Sequence, residues 1–124
     1  MSSEGVIERY FDYLVGHDFD NLAELLTDDI VRVGPFGDVK TPLVPYLEFL
    51  ADLMPRLPGY ALDVHRVVYT DGVAVAEITE TIEVDGARHV TPEALVFDLA
   101  ADGRIRRIQI YIQRLSDDVP ALAR

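Results

Sequence analysis

The chain of 124 residues lacks cysteine and tryptophan, and its serines are Ser2, Ser3 and Ser116, which lie near the two ends. The absence of cysteine excludes disulfide bonds, thiolate catalysis and cysteine-ligated metals, and it fits a reducing compartment. A serine nucleophile is also unexpected, because such a serine needs a base held beside it. The chemistry that remains is acid-base catalysis or simple binding.

Basic residues are scarce, with 11 lysines and arginines against 22 acidic residues and a net charge of -11. Such a charge disfavours nucleic acid and anionic membrane surfaces as partners. The first residues show no signal-peptide pattern, and no apolar run approaches the length of a membrane span. We therefore expect a cytoplasmic protein whose partner is a small neutral or cationic molecule.

The sequence also offers little to a metal ion or a phosphate group. His17, His65 and His89 are scattered along the chain, so a histidine metal site is not expected. The segment Gly34-Pro35-Phe36-Gly37 lacks the spacing and the lysine of a phosphate-binding loop. We expect no metal and no cofactor.

The composition, 49% hydrophobic and 27% charged, is typical of a globular protein. A chain of this length can bury one core but not two. We predict a single domain over residues 1–115 and a flexible tail over residues 116–124, where the apolar periodicity stops.

The first half of the chain predicts helices. Apolar residues recur at helical spacing over residues 6–15, and Ser2 or Ser3 would cap this helix. A second, short helix is predicted over residues 20–26, with acidic residues in its first turn. Thr41 would cap a third helix, with Pro42 at its first position, and this helix would run to about residue 54.

The second half predicts strands that alternate apolar and polar residues. The pairs Asp85-Gly86 and Asp102-Gly103 would supply turns, because Asp-Gly tolerates the positive φ angles of tight hairpins. Helices followed by strands indicate an α+β fold, with three N-terminal helices packed on one face of a curved antiparallel sheet. The predicted strands are residues 30–33, 60–69, 73–84, 88–99 and 105–113.

Two carboxylates fall on the apolar face of this sheet. A tight turn at Asp85-Gly86 would place Ile78 opposite Glu93 and Glu80 opposite Thr91. Alternation then puts Glu80 and Glu93 among the apolar residues. A carboxylate in that position loses hydration unless it is protonated, paired or hydrogen-bonded. Both are candidate catalytic residues.

Arg32 and Tyr10 are two further catalytic candidates. Arg32 interrupts the apolar strand 30–33, and it would either form a salt bridge with the carboxylates or stabilise negative charge on a ligand. Tyr10 would aim its hydroxyl into the cavity or be a core residue with a satisfied hydroxyl. The predicted ligand-binding residues share the inner apolar wall: Phe36, Leu50, Ile78, Ile82, Leu95, Phe97, Ile108, Ile110 and Ile112.

Three segments carry a family resemblance: residues 7–10, the stretch 16–20 leading to 25–29, and residues 97–105. In them the chain resembles the nuclear transport factor 2-like superfamily, and within it the SnoaL-like polyketide cyclases and ketosteroid isomerases. The resemblance implies a cone-shaped barrel. It also implies a pocket for a polyketide, terpenoid or steroid-like molecule between the helices and the sheet.

The catalytic groups of these relatives carry over only in part. The resemblance places the oxyanion-stabilising tyrosine of the isomerases on Tyr10, their aspartate base on Gly34 and their second acid on Leu95. The arginine and aspartate of limonene epoxide hydrolases fall on Glu93 and Leu95, and their last-strand aspartate on Ile110. The acid of the SnoaL cyclases in that region is also absent. Ordinary ketosteroid isomerisation is therefore not expected.

Together these patterns predict a small protein that binds an apolar ligand and needs no cofactor. Glu80 or Glu93 would catalyse an isomerisation, cyclisation or dehydration, with Tyr10 or Arg32 stabilising developing negative charge. The alternative is a non-catalytic ligand-binding or interaction module, and in both cases a homodimer is expected. The outer sheet face that would form the dimer carries Thr79, Thr81, Ala94, Val96, Gln109 and Tyr111.

Overall fold

The computed structural model describes residues 5–113. The tail predicted from residue 116 lies outside this range. Three α-helices, α1 (Val6–Val15), α2 (Phe19–Glu24) and α3 (Leu43–Leu53), are accompanied by a short 3-10 helix, Met54–Arg56. The strands are β1 (Leu26–Val33), β2 (Val39–Lys40), β3 (Ala61–Thr70), β4 (Val73–Val84), β5 (Ala87–Leu99) and β6 (Ile105–Ile112).

The first helix has the predicted bounds but not the predicted cap. Its N-cap is Gly5, whose φ of 86° is easy for glycine, and no side chain caps it. Instead the Tyr69 hydroxyl on β3 accepts hydrogen bonds from the backbone N–H groups of Gly5 and Ile7, each at 3.1 Å. The same hydroxyl donates to the Glu8 carboxylate. Within the described residues, a strand residue thus supplies an acceptor at the start of α1, and the predicted caps Ser2 and Ser3 lie outside this range.

The other two helices begin differently from the prediction. The Asp18 carboxylate caps α2 by accepting from the backbone N–H of Asn21 at 3.3 Å. For α3 the N-cap is Pro42, so the prediction that Thr41 caps this helix was wrong. The Thr41 hydroxyl donates to the backbone carbonyl of Ile30 at 2.7 Å and thereby ties the start of α3 to β1.

The hairpin between β4 and β5 has the predicted turn and register. Asp85 and Gly86 both have positive φ, 52° and 76°, as a two-residue hairpin turn requires. Ile78 lies opposite Glu93 and Glu80 opposite Thr91, as predicted. The hairpin therefore brings the two carboxylates onto the same face of adjacent strands.

The sheet is mixed rather than wholly antiparallel. Its strand order is β2-β1-β6-β5-β4-β3, and β1 runs parallel to β6 while the other neighbours are antiparallel. The prediction missed this pairing because it treated β1 as a short strand and did not include β2. The described strands form an open sheet, and the α+β class with helices packed on a curved sheet is confirmed.

The core lies between the helices and one face of the sheet. On β5, Phe97 is fully buried and meets the rings of Tyr10 and Phe11 from α1 edge-on, with centroids 5.6 and 6.1 Å apart. Ala74 and Ala76 on β4 are also fully buried and leave room for the helices. No helix within residues 5–113 is long and apolar enough to cross a membrane.

Candidate functional site

A pocket opens beyond this core, between α1, α3 and the far halves of β4, β5 and β6. The empty volume of the pocket is about 590 Å³, which includes open solvent at its mouth. The volume that the centres of water molecules can occupy is much smaller, about 60 Å³. Mostly apolar walls with a few polar groups are typical of a small-molecule site. The lining residues are Tyr10, Phe11, Leu14, Arg32, Pro35, Tyr46, Phe49, Leu50, Leu53, Met54, Leu62, Ile78, Glu80, Glu93, Leu95, Ile110 and Ile112.

Glu80 and Glu93 form a hydrogen-bonded acid pair in this pocket. Both side chains are half-buried, and the carboxyl group of Glu93 hydrogen-bonds to that of Glu80. Two ionised carboxylates cannot share a hydrogen bond, so one of them must carry a proton. The diagonal relation predicted from strand alternation therefore becomes a direct contact between the two side chains.

Burial raises the pKa of Glu93 far above the ordinary value, and the hydrogen bond and negative charge of Glu80 raise it further. The positive charge of Arg32 opposes this rise but is the smallest of the causes. At neutral pH Glu93 therefore holds its proton. This arrangement provides a proton donor and a proton acceptor side by side.

Tyr60 contacts the acid pair through Glu80, and the sequence pattern did not predict this contact. It lies one residue before β3 and donates a hydrogen bond from its hydroxyl to Oε2 of Glu80. Burial and the neighbouring Glu80 raise the pKa of Tyr60 well above its usual range, so the phenol stays neutral. The register of β3 against β4, in which Leu62 lies opposite Glu80, brings Tyr60 close, and only that register could have identified it.

Tyr10 lines the pocket as predicted, and its partner is Tyr46 on α3. The two hydroxyls are 2.5 Å apart and both side chains are buried. Burial raises the pKa of each phenol, so both remain neutral. One hydroxyl donates to the other, which leaves one O–H free to donate to a ligand. Tyr46 could have been recognised, because it shares the inward helical face with Leu50.

Arg32 also lines the pocket, but its ion-pair partner is Asp38. The Nη1 atom of Arg32 lies 2.7 Å from Oδ2 of Asp38, and the guanidinium stacks 4.9 Å from the ring centroid of Phe49. Among the described residues, no salt bridge joins Arg32 to Glu80 or Glu93, so the expected ion pair with the carboxylates was wrong. The prediction missed Asp38 because it lies in a loop just before β2.

The predicted ligand-binding residues divide into two groups. Leu50, Ile78, Leu95, Ile110 and Ile112 line the pocket. The side chain of Phe36 is instead 52% exposed, because the loop after β1 turns it towards solvent. The remaining three are fully buried and pack in the interior away from the pocket: Ile82, Phe97 and Ile108.

No metal cluster is formed within the described range. Among residues 5–113 there is no group of three or more histidine, aspartate or glutamate side chains that could hold an ion. The polar groups that line the pocket are the acid pair, two tyrosine hydroxyls and one guanidinium. They are suited to moving protons and to orienting a ligand by hydrogen bonds.

Solved structures with the same fold include several enzymes. An LEH-like epoxide hydrolase of M. tuberculosis is 22% identical, with a TM-score of 0.78 over 90% of this chain and 82% of that one. The epoxide hydrolase/cyclase-like enzyme SalBIII, which acts in pyran ring formation in the polyether salinomycin, is 14% identical, with a TM-score of 0.77 over 90% of each chain. A candidate ketosteroid isomerase from Kribbella flavida is 21% identical, with a TM-score of 0.77 over 96% of this chain and 83% of that one.

These identities establish a shared fold and not a shared reaction. A search of curated protein sequences gives no significant match. The sequence pattern of the SnoaL-like domain matches residues 7–108, which is most of the chain and includes the acid pair and both pocket tyrosines. The helices, the open sheet and the pocket between them agree with that match. The chain therefore belongs to the SnoaL-like domain family.

Proposed function

We propose that this protein binds a small, largely apolar ligand in the pocket and catalyses a cofactor-free proton transfer that isomerises, cyclises or dehydrates it. One observation carries the proposal: Glu80 and Glu93 are neighbours on a mostly apolar pocket wall, where burial and Glu80 raise the pKa of Glu93. Perturbed carboxyl groups in a pocket are typical of acid-base sites. Structures of the same fold include an LEH-like epoxide hydrolase and an epoxide hydrolase/cyclase-like enzyme of pyran ring formation, which supports this class of chemistry.

In this mechanism the two carboxyl groups have different roles. Glu80 would take a proton from the ligand, and the hydrogen bond that it accepts from Tyr60 would hold its carboxyl group in place. Glu93 holds the proton of the pair and would return one to another ligand atom. The two transfers balance, so no oxidant, reductant or cofactor is needed.

The tyrosine pair would stabilise negative charge that develops on a ligand oxygen. The free O–H of Tyr10 or Tyr46 is a neutral donor fixed in a buried position, so it needs little reorganisation during the reaction. The positive charge of Arg32 also acts on the two tyrosines, since it opposes the rise in the pKa of Tyr10 and of Tyr46. The ligand would thus lie between an acid pair and a group of hydrogen-bond donors.

The pocket is narrow for a ligand of the polyketide, terpenoid or steroid type. The space that the centres of water molecules can reach is about 60 Å³, which holds only a few waters. A polyketide, terpenoid or steroid-like ligand must therefore displace lining side chains. Phe49 and Leu53 lie at the exposed side of α3 and are half-buried, which makes them the side chains we expect to move.

A neutral probe of carboxylate basicity tests the proposal without knowledge of the natural ligand. In nitrobenzisoxazole a base removes the ring C–H proton, the N–O bond breaks, and a coloured cyanonitrophenolate forms. We expect turnover above the rate with free carboxylate, and a loss of about 10²-fold or more in Glu80→Gln. Glu83→Gln, an exposed change on the same strand, is the matched control and should leave turnover unchanged.

Two results would contradict the proposal. Turnover that survives in Glu80→Gln would show that the base lies elsewhere. A wild-type rate no higher than that of acetate would leave only a binding role for the pocket. Circular dichroism of each variant separates lost chemistry from lost fold.

We also propose a homodimer, formed through the outer face of the sheet. Tyr111 on β6 and Val68 on β3 are 56% and 52% exposed on this face, which also carries Val96 and Ala94. Aromatic and apolar residues of this kind are enriched in protein interfaces. Of the predicted interface residues, Thr81 is only 3% exposed and offers little contact area. Light scattering at micromolar concentration tests the dimer, and a mass of 13.9 kDa, that of one chain, would contradict it.

A further inference from the structure

The charged groups of the pocket are few, so its charge preference can be read from them. Among the described lining residues, Arg32 is the only cation, and Glu80 and Glu93 are the only acids. An anionic ligand group would therefore depend on the guanidinium of Arg32 for its counter-charge. Whether Arg32 is free to supply that charge is decided by its surroundings.

Asp38 already neutralises Arg32. The two side chains form an ion pair at 2.7 Å, and the side chain of Arg32 is only 11% exposed. The guanidinium also faces the ring of Phe49, which fixes its plane against the pocket wall. The positive charge is thus compensated within the protein before any ligand enters.

The loop after β1 is built around this ion pair. Gly34 has no side chain, and a Cβ atom at that position would come within 2.2 Å of Oδ1 of Asp38 and 2.8 Å of Nη1 of Arg32. The backbone N–H of Gly34 also donates to the carbonyl of Asp38 at 2.8 Å. Glycine is therefore the residue that allows the Asp38 carboxylate to lie against Arg32.

The remaining charge in the pocket belongs to the acid pair. Arg32 and Asp38 form an ion pair without net charge, so the acids Glu80 and Glu93 determine the charge preference of the pocket wall. The tyrosine hydroxyls are neutral donors. A carboxylate brought beside the two acids would find no uncompensated cation among the described residues that line the pocket, and contacts between like charges are strongly unfavourable at low exposure to solvent.

We propose that this pocket selects ligands that are neutral or cationic at the end facing Glu80 and Glu93, and that Asp38 sets this selectivity by cancelling the charge of Arg32. The natural substrate is then an alcohol, a carbonyl compound or an amine rather than a carboxylic acid. The inference rests on the proposed function only in using the same pocket as the ligand site. It does not require that the ligand reacts.

Three ligands of the same shape test this selectivity: phenylpropanol, phenylpropylamine and phenylpropanoate, measured by calorimetry at neutral pH and low salt. With the wild-type protein we expect the carboxylate to bind about tenfold or more weakly than the alcohol. Asp38→Asn frees the charge of Arg32 and should shift the ratio of carboxylate to alcohol affinity by about tenfold towards the carboxylate. Asp63→Asn removes the same charge from an exposed site on β3 and is the matched control.

Several outcomes would overturn the proposal. They are a carboxylate that binds wild type as tightly as the alcohol, equal ratios in Asp38→Asn and Asp63→Asn, and no binding of any of the three ligands. The wild-type comparison needs no variant, so the proposal stays testable if Asp38→Asn does not fold. If the alcohol binds while nitrobenzisoxazole is not turned over, the charge selectivity stands and the proposed catalysis fails.

Discussion

Two pairs of ionisable side chains reach the same pocket, and they tolerate partial burial in different ways. Arg32 and Asp38 have opposite charges and compensate each other directly at 2.7 Å. Glu80 and Glu93 have the same charge, and only a shared proton lets them stay together. The ion pair of Arg32 and Asp38 carries no net charge, whereas the charge of the two glutamates depends on whether Glu93 is protonated. The comparison indicates which pair holds the structure and which is able to do chemistry.

The largest effect on stability is expected when the oppositely charged pair is broken. Asp38→Ala would leave a guanidinium that is only 11% exposed without its counter-ion. Breaking a fully buried pair costs about 3–5 kcal/mol, and the 38% exposure of Asp38 reduces this, so we expect about 2 kcal/mol. Urea denaturation measures the change in the free energy of unfolding.

A surface ion pair provides the control for this measurement. Arg56 and Asp52 lie 2.8 Å apart on one helical turn, with side chains 66% and 75% exposed. Asp52→Ala should cost less than about 0.5 kcal/mol, because solvent screens the pair. Equal losses in Asp38→Ala and Asp52→Ala would show that Asp38 does not compensate Arg32.

The like-charged pair should respond in the opposite direction. The folded-state pKa of Glu93 is raised above the ordinary 4.5, so between these two values the folded state binds more protons than the unfolded state. Stability is therefore highest below about pH 4.5 for this group and falls as the pH rises through neutrality. Glu93→Gln mimics the protonated acid, and it should remove this slope and gain about 1 kcal/mol at neutral pH.

Denaturation across the acidic to neutral range measures this effect, with Glu83→Gln as the exposed control that should keep the wild-type slope. A Glu93→Gln protein that is less stable than wild type at neutral pH would mean that a negative charge at Glu93 is needed. That result would remove the shared proton from the mechanism as well.

A loss of stability of similar size is expected when the hydroxyl that supports Glu80 is removed. Tyr60→Phe removes one hydrogen bond to a carboxylate and should cost about 1 kcal/mol. In a Glu80→Gln background the same change should cost less, because the acceptor is no longer charged. Equal costs in the two backgrounds would show that Tyr60 and Glu80 do not act together.

The sequence was informative where a residue's position depends on local pattern. Alternation and the Asp-Gly turn were enough to place Glu80 beside Glu93, because one tight hairpin fixes the register of both strands. The hydrogen-bond partners of Glu80 and Tyr10 were not accessible in that way. Tyr60 comes from just before β3 and Tyr46 from α3, and their contacts depend on how whole elements pack.

Arg32 also shows what local sequence pattern can and cannot predict. Its position in an apolar strand correctly marked it as a residue facing the pocket, but its partner was assigned to the wrong acid. The choice of Asp38 depends on the short pairing of β2 with β1, which two residues of sequence could not signal. The parallel contact of β1 with β6 pairs residues that lie 76 or more positions apart in the chain, such as Val31 and Arg107, so local pattern could not predict it either.

The attachment of α1 to Tyr69 also determines the depth at which Tyr10 enters the pocket. A helix rises about 1.5 Å and turns about 100° per residue, so a slip of one residue would swing Tyr10 away from Tyr46 altogether. The Tyr69 hydroxyl, which accepts hydrogen bonds from the backbone N–H groups of Gly5 and Ile7, prevents such a slip from β3, the strand that also pairs Leu62 with Glu80. The edge strand of the sheet thus fixes the position of the Tyr10 hydroxyl, and with it the hydrogen bond to Tyr46, in the pocket.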